Sequence, residues 1–197
     1  VGANGSGKTT LLKDIVDRGD WSNHDLRIGP SMNVGYSAQQ QELLDDDRTI
    51  VEEIRDAAPM TSQSAFALLN RFMFQPEDMQ KRVGELSGGE RNRLQLARLM
   101  ALKPNFMILD EPTNHLDIPS REAVEEALED FQGTLLVVSH DRYFLDRICD
   151  QIIAFEDDSV RVVPGNFSYY LEKRKAQENA ARAQATAANR AAKKRAS

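Results

Sequence analysis

Eight residues near the start of the chain, Gly2-Ala3-Asn4-Gly5-Ser6-Gly7-Lys8-Thr9, alternate glycines with small polar groups and close on a lysine and a hydroxyl. Glycines at this spacing let backbone N–H groups converge on phosphate oxygens, and a helix starting near Lys8 would turn its positive end toward the same oxygens. Lys8 would neutralise charge on β- and γ-phosphates, and the Thr9 hydroxyl would ligate Mg²⁺. A second stretch, Phe106-Met107-Ile108-Leu109-Asp110-Glu111, is an apolar run ending in two carboxylates. Beside a phosphate loop, Asp110 would hold Mg²⁺ through water and Glu111 would orient and polarise an attacking water. Read alone, such a run is more often a strand entering a polar loop, so its weight comes from its company.

A third stretch, Leu86-Ser87-Gly88-Gly89-Glu90, precedes a helical pattern through Leu94, Ala97 and Met100, which puts a serine and two glycines at another helix N-terminus. By itself it reads most simply as a helix cap. One nucleotide does not need two phosphate-facing helix ends on one domain, so the second would serve a nucleotide held by another domain of the same kind. His140 alone would be a polar residue after a strand; it gains meaning only with the other motifs. Trp21 and His24 lack such context and read as packing and surface residues.

Strand-length apolar runs at 32–37, 106–109, 135–139 and 152–155 are separated in several places by helical patterns, which predicts a parallel α/β sheet. Val1 enters the glycine loop directly, where a strand should come first, so N-terminal strands are expected upstream of Val1. Residues 48–85 break the rhythm: 49–58 and 62–74 look helical, with Pro59 and Pro76 as breakers and no strand between them, which predicts an inserted helical subdomain. Pro119 suits a first helical position, and Ala123, Val124, Ala127, Leu128 and Phe131 form a core stripe behind it.

The chain has 197 residues, 41% apolar and 28% charged, which fits one domain with an appendage. No window approaches 18 uninterrupted apolar residues, and no leader precedes the loop, so neither a membrane span nor a secretion signal is expected. Cys149 is the sole cysteine, which permits no intrachain disulfide and suits a reducing compartment such as the cytoplasm. The net charge of −6 hides two blocks: residues 171–197 hold eight basic and two acidic residues, giving +6 and leaving −12 for residues 1–170. A uniformly nucleic-acid-coating surface is not expected, while the basic tail could reach phosphates or an acidic partner. Ten alanines in that tail favour helix but offer little area to bury, so a helix supported by a partner and a solvated, disordered segment both stand open. Alanines 176, 180, 183 and 187 would share one face.

In order along the chain, residues 2–9, Gln39 after Val34-Gly35-Tyr36, residues 86–90, residues 106–111, His115-Leu116-Asp117 and Val138-Ser139-His140-Asp141-Arg142 resemble the motif series of the ATP-binding cassette (ABC) ATPases. The version Asp110-Glu111-Pro112-Thr113-Asn114-His115-Leu116-Asp117 is similar to that of the ABC-F subfamily, soluble tandem-cassette ATPases of which many act on ribosomes. Transporter cassettes more often carry Ser-Ala at Asn114-His115. Residues 133–136, 139–146 and 165–171 agree with that subfamily, so the resemblance covers about residues 1–172.

The resemblance implies a phosphate-loop NTPase of the ABC type over residues 1–170, with its helical subdomain at about 48–85 and a basic tail at 171–197. ATP and Mg²⁺ are the implied ligands. The phosphate-binding set is Gly2, Asn4, Gly5, Ser6, Gly7, Lys8, Thr9 and Thr10, with Thr9, Gln39 and Asp110 toward the metal. It makes Gln39 the residue sensing γ-phosphate, Glu111 the catalytic carboxylate and His140 the switch histidine on the γ-phosphate. Asp117 lies in the loop crossing to a partner cassette, and Ser87, Gly88, Gly89 and Glu90 close over the partner's ATP. Implied partners are a second cassette and the ribosome or its RNA. Residues 72–74 and the short insert suit a C-terminal cassette, although a charged helix follows the first cassette too. The family's adenine-stacking aromatic lies upstream of the loop. The rival readings are the ATPase subunit of a membrane transporter and an ATP-gated binding module with little turnover.

Overall fold

The computed structural model describes residues 1–2, 5–16, 29–37, 44–156 and 159–195. Asn4, Trp21, His24 and Gln39 lie outside these residues.

The glycine loop runs into helix α1 (Lys8–Val16), which buries Leu12. Strand β1 (Val34–Ser37) comes next in the fold, and after it the helical insert, made of α2 (Ile50–Ala57), α3 (Ser62–Arg71) and two single-turn helices at Pro76–Asp78 and Val83–Glu85. Each main helix starts where a threonine can take up an orphan N–H: Thr49 forms a reciprocal capping box with Glu52, and Thr61 accepts from the Ser64 N–H. α3 stops at Arg71 because Met73 turns left-handed (φ 63°), and the Phe74 N–H then folds back to the Leu69 carbonyl. That turn places Phe72 and Phe74 in the core with Ile50, Ile54 and Leu69, all fully buried.

The insert is closed at its base, where Ile50 N–H donates to Lys81 O at 3.1 Å and Val83 N–H to Arg48 O at 2.9 Å. Helix α4 (Gly88–Ala101) then packs on α2 and α3 with one side and on β1 with another. Gly35 allows this approach, since a Cβ there would lie 2.8 Å from the Leu99 side chain. The buried Glu53 of α2 adds an ion pair to Arg98 of α4 at 2.8 Å.

Strand β2 (Phe106–Asp110), helix α5 (Ile118–Glu129), strand β3 (Thr134–Val138) and helix α6 (Arg142–Ile148) complete the α/β core. The sheet is parallel with order β1-β2-β3, Tyr36 pairing with Ile108 and Ile108 with Leu136. β2 is central and covered on both faces, so Met107, Ile108 and Leu109 are all apolar and fully buried. α5 begins one residue ahead of the position given to Pro119: Asp117 is its cap and Pro119 its second residue.

The expected strand near 152–155 is β4 (Gln151–Glu156), but it is antiparallel to a strand that the sequence reading did not predict, β5 (Ser159–Pro164). On its other edge β4 holds the entrance to the glycine loop, with Phe155 N–H donating to Val1 O at 2.9 Å and Gly2 bridging Phe155. Helix α7 (Phe167–Arg195) follows; Tyr170 on its first turns is buried with Ile152 and Ala154, and its hydroxyl donates to Glu156 at 3.2 Å. The helix thus starts before residue 171 and runs unbroken through the Ala-rich segment. Residues 172–184 are exposed, including Ala176, Ala180 and Ala183 of the shared face.

Candidate nucleotide site

The loop conformation follows from its glycines. Gly2, Gly5 and Gly7 have φ of 153°, 81° and 93°, values that L side chains rarely adopt. Gly2 is further constrained, because a Cβ there would meet the Phe155 carbonyl at 2.8 Å. Lys8 Nζ donates back to Gly2 O at 2.9 Å, which folds the lysine over the loop. Ser6 Oγ is buried without a hydrogen-bond partner.

Opposite the loop, β2 ends at Asp110, and Glu111 takes a left-handed conformation (φ 53°) with its N–H on the Val138 carbonyl at 2.8 Å. Its carboxylate points at the end of β3, where the His140 N–H donates to Oε2 at 3.3 Å and His140 Nε2 lies 3.7 Å from Oε1. The Glu111 side chain is 17% exposed and that of His140 69%. A cleft of about 510 Å³ is lined by Gly5, Gly7, Lys8, Thr9, Thr10, Asp110, Glu111, Asn114, Val138 and His140. Of the residues expected to meet one nucleotide, Gly5, Gly7, Lys8, Thr9, Thr10, Asp110, Glu111 and His140 therefore converge, while Gly2 and Ser6 are not among the residues lining this cleft. Asn114, which the sequence reading used only to mark the subfamily, is also at the cleft; it lies three residues beyond the left-handed Glu111, in a turn closed by its N–H on the Glu111 carbonyl at 3.1 Å.

Burial pushes both Asp110 and Glu111 above the usual carboxylate range. Lys8 and Lys13 pull Asp110 partly back, and the His140 N–H does the same for Glu111. Two neighbouring acids held partly out of water favour a cation between or beside them. The donor set is a hydroxyl and carboxylate oxygens, which suits Mg²⁺. Among the described residues no three His, Cys, Asp or Glu groups gather closely enough to hold a metal alone.

Ser87, Gly88, Gly89 and Glu90 are not among the residues lining this cleft. They cap α4: Ser87 Oγ accepts from the Glu90 N–H at 3.3 Å, and the Ser87 N–H and hydroxyl donate to Glu90 Oε2 at 2.8 and 2.6 Å. Those bonds hold the Glu90 carboxyl below its ordinary range. α4 is tied to the turn after Glu111 by Asn92, whose Nδ2 donates to Pro112 O at 3.1 Å and Asn114 O at 3.2 Å. Asp117 caps α5, its Oδ1 accepting from the Ser120 N–H at 3.0 Å.

A glycine loop opening a helix, a carboxylate-ended central strand and a histidine just past the end of the neighbouring parallel strand define a phosphate-loop nucleotide-binding cassette. Residues 1–114 match the family described as ABC transporter, and the chain belongs to that family as an ABC ATP-binding domain. It is 41% identical over 176 residues to ABC transporter F family member 5 of Arabidopsis thaliana, covering 88% of this chain and 25% of that protein. It is 39% identical over 181 residues to the energy-dependent translational throttle protein EttA of Escherichia coli K12, covering 89% of this chain and 33% of that one. Among solved structures, the archaeal ribosome recycling factor aABCE1, in complex with the ribosomal stalk protein aP1, superposes with a TM-score of 0.68. It shares 27% identity and is matched over 90% of this chain and 36% of that one. The chain spans about a quarter to a third of the length of the curated relatives it matches. The F-branch likeness of residues 110–117 agrees with the first of these relatives. No helix among the described residues is long and apolar enough to cross a membrane.

Proposed function

We propose that the chain binds and hydrolyses MgATP as one cassette of a tandem ABC-F ATPase, and that its closing and opening do conformational work on the ribosome. The observation that carries the reading is the meeting of Glu111 and His140 at the rim of the cleft lined by Lys8 and Thr9. Lys8 would leave the Gly2 carbonyl for the β- and γ-phosphates. Thr9 and Asp110, with Gln39, would hold Mg²⁺, which when bound spreads the charge of the phosphate oxygens. Glu111 orients a water in line with the γ-phosphorus, and its upward-shifted pKa makes it a better proton acceptor than an exposed glutamate. His140, exposed at the cleft mouth, is free to swing from Glu111 onto a γ-phosphate oxygen.

The N-terminus of α4, with Ser87, Gly88, Gly89 and Glu90, would close over the nucleotide of a second cassette, so a lone cassette should turn over slowly. The ribosomal part of the reading is supported by the relatives' names, a translational throttle and a ribosome recycling factor, and by the net charge of +6 that the sequence carries over residues 171–197. The test is Glu111→Gln in the full-length protein. ATP binding is retained while steady-state turnover falls about 100-fold or more, the range for a general base; unaltered turnover refutes the assignment. Turnover measured with and without ribosomes checks the coupling.

A further inference from the structure

His140 is highly exposed, so the position of its ring is governed by its backbone turn more than by packing. That turn is built around Asp141, which divides its carboxylate between two tasks. Oδ1 accepts from the Tyr143 and Phe144 N–H groups at 3.1 and 3.3 Å and caps α6, while Oδ2 lies 2.7 Å from Arg121 Nη1 on the first turn of α5. The Asp141 N–H donates to Ser139 Oγ at 3.0 Å, enclosing His140 from both sides. On α5, Ser120 stands next to Arg121, and its hydroxyl accepts from Arg93 of α4.

We propose that Arg121 is a positioning residue for His140: its ion pair with Asp141 latches the switch turn to α5, and through Ser120 and Arg93 to α4. The inference rests on the reading of His140 as the γ-phosphate group. It makes α4, whose N-terminus would lid a partner's nucleotide, and the histidine of this chain's own cleft parts of one polar path. The latch is distinct from the staple that holds the two helices together farther along, where Arg147 of α6 pairs with Glu125 at 2.8 Å and with Glu129 at 2.5 Å on α5. Removing Arg121 leaves the Oδ1 cap of α6 and the Arg147 staple in place, so the fold survives while the turn loses its anchor.

The experiment compares Arg121→Ala, Arg121→Lys and Arg147→Ala in the full-length protein, with Glu111→Gln alongside. Arg121→Ala is expected to lower kcat about 10-fold with KM for ATP changed less than twofold, since a misplacement near 1 Å can cost as much as 100-fold. Arg121→Lys restores most of the loss. Arg147→Ala lowers thermal stability with kcat unchanged. A second readout uses ¹³C-labelled histidine, with the His140 ring signal assigned by its loss in His140→Ala; it shifts in Arg121→Ala and stays in Arg147→Ala. The latch is overturned if kcat and the ring signal of Arg121→Ala match wild type, or if its kcat loss is unrescued by lysine and tracks melting temperature across both arginine variants. If Glu111→Gln turns over as fast as wild type, the ATPase reading fails instead, and the ring signal still decides the latch.

Discussion

Two helix N-termini of this chain carry serine and glycine, and they are finished in opposite ways. At α4 the cap is internal: Ser87 and Glu90 satisfy each other's backbone and the carboxylate sits where an incoming anion would. At α1 the preceding residues are glycines in left-handed conformations, Ser6 Oγ makes no hydrogen bond, and the adjacent cation, Lys8, is parked on a loop carbonyl. One end is complete without a ligand and the other is built to be completed by one. An anion reaching α4 must share the site with Glu90, which fits the proposed role of that end as a lid over phosphates already neutralised elsewhere.

The difference can be broken most severely at Lys8. Lys8→Ala removes a charge-assisted contact of about 1.5–3 kcal/mol, so nucleotide affinity falls about 10- to 100-fold in a fluorescent-nucleotide titration while the unfolding midpoint hardly moves. A smaller effect, of opposite character, is expected from paired serine substitutions. Ser87→Ala loses a working cap and costs about 1 kcal/mol in urea denaturation without nucleotide. Ser6→Ala stays within about 0.5 kcal/mol; equal losses at both positions would erase the distinction.

The smallest effect concerns the acids facing the loop. Because burial raises the Glu111 pKa on folding, the folded chain holds that proton more tightly than the unfolded one. Ionisation therefore costs stability as pH climbs from the ordinary glutamate value to the raised one, and the full cost remains at neutral pH. Glu111→Gln without nucleotide should melt higher than wild type at pH 7, by a few degrees at most, with the gap closing below about pH 4.

Much of this arrangement is legible in the residues themselves. The phosphate loop announces itself because only glycine tolerates the backbone of positions 2, 5 and 7, and β2 because a strand covered on both faces must be apolar throughout. The helical insert shows through Pro59 and Pro76, which bound two helical patterns with no strand between them, whereas the threonine caps of its helices came only with the structure. β5 was not foreseen: Val160 and Val162 are exposed, so the run lacks the inward-facing alternation that marks a half-buried strand, and its pairing with β4 is a backbone matter. α6 is only seven residues long, too short for a periodicity, and is started by Asp141. The tail could be read either way because alanine favours helix yet buries little. It is helical, running on from α7's anchored root at Tyr170. Ion pairs such as Arg121 with Asp141 join residues twenty positions apart and leave no local pattern.

Glu111 sits at φ 53°, a region where a side chain raises the backbone energy by about 1–2 kcal/mol and where glycine would rest without effort. The Val138 carbonyl and the flanking strands hold it there all the same. Relaxing this peptide would steady the domain and swing the acid away from His140, so with Glu111 in its proposed catalytic role robustness and reactivity are opposed at a single residue. Selection for a hardier protein would be expected to disarm it here first.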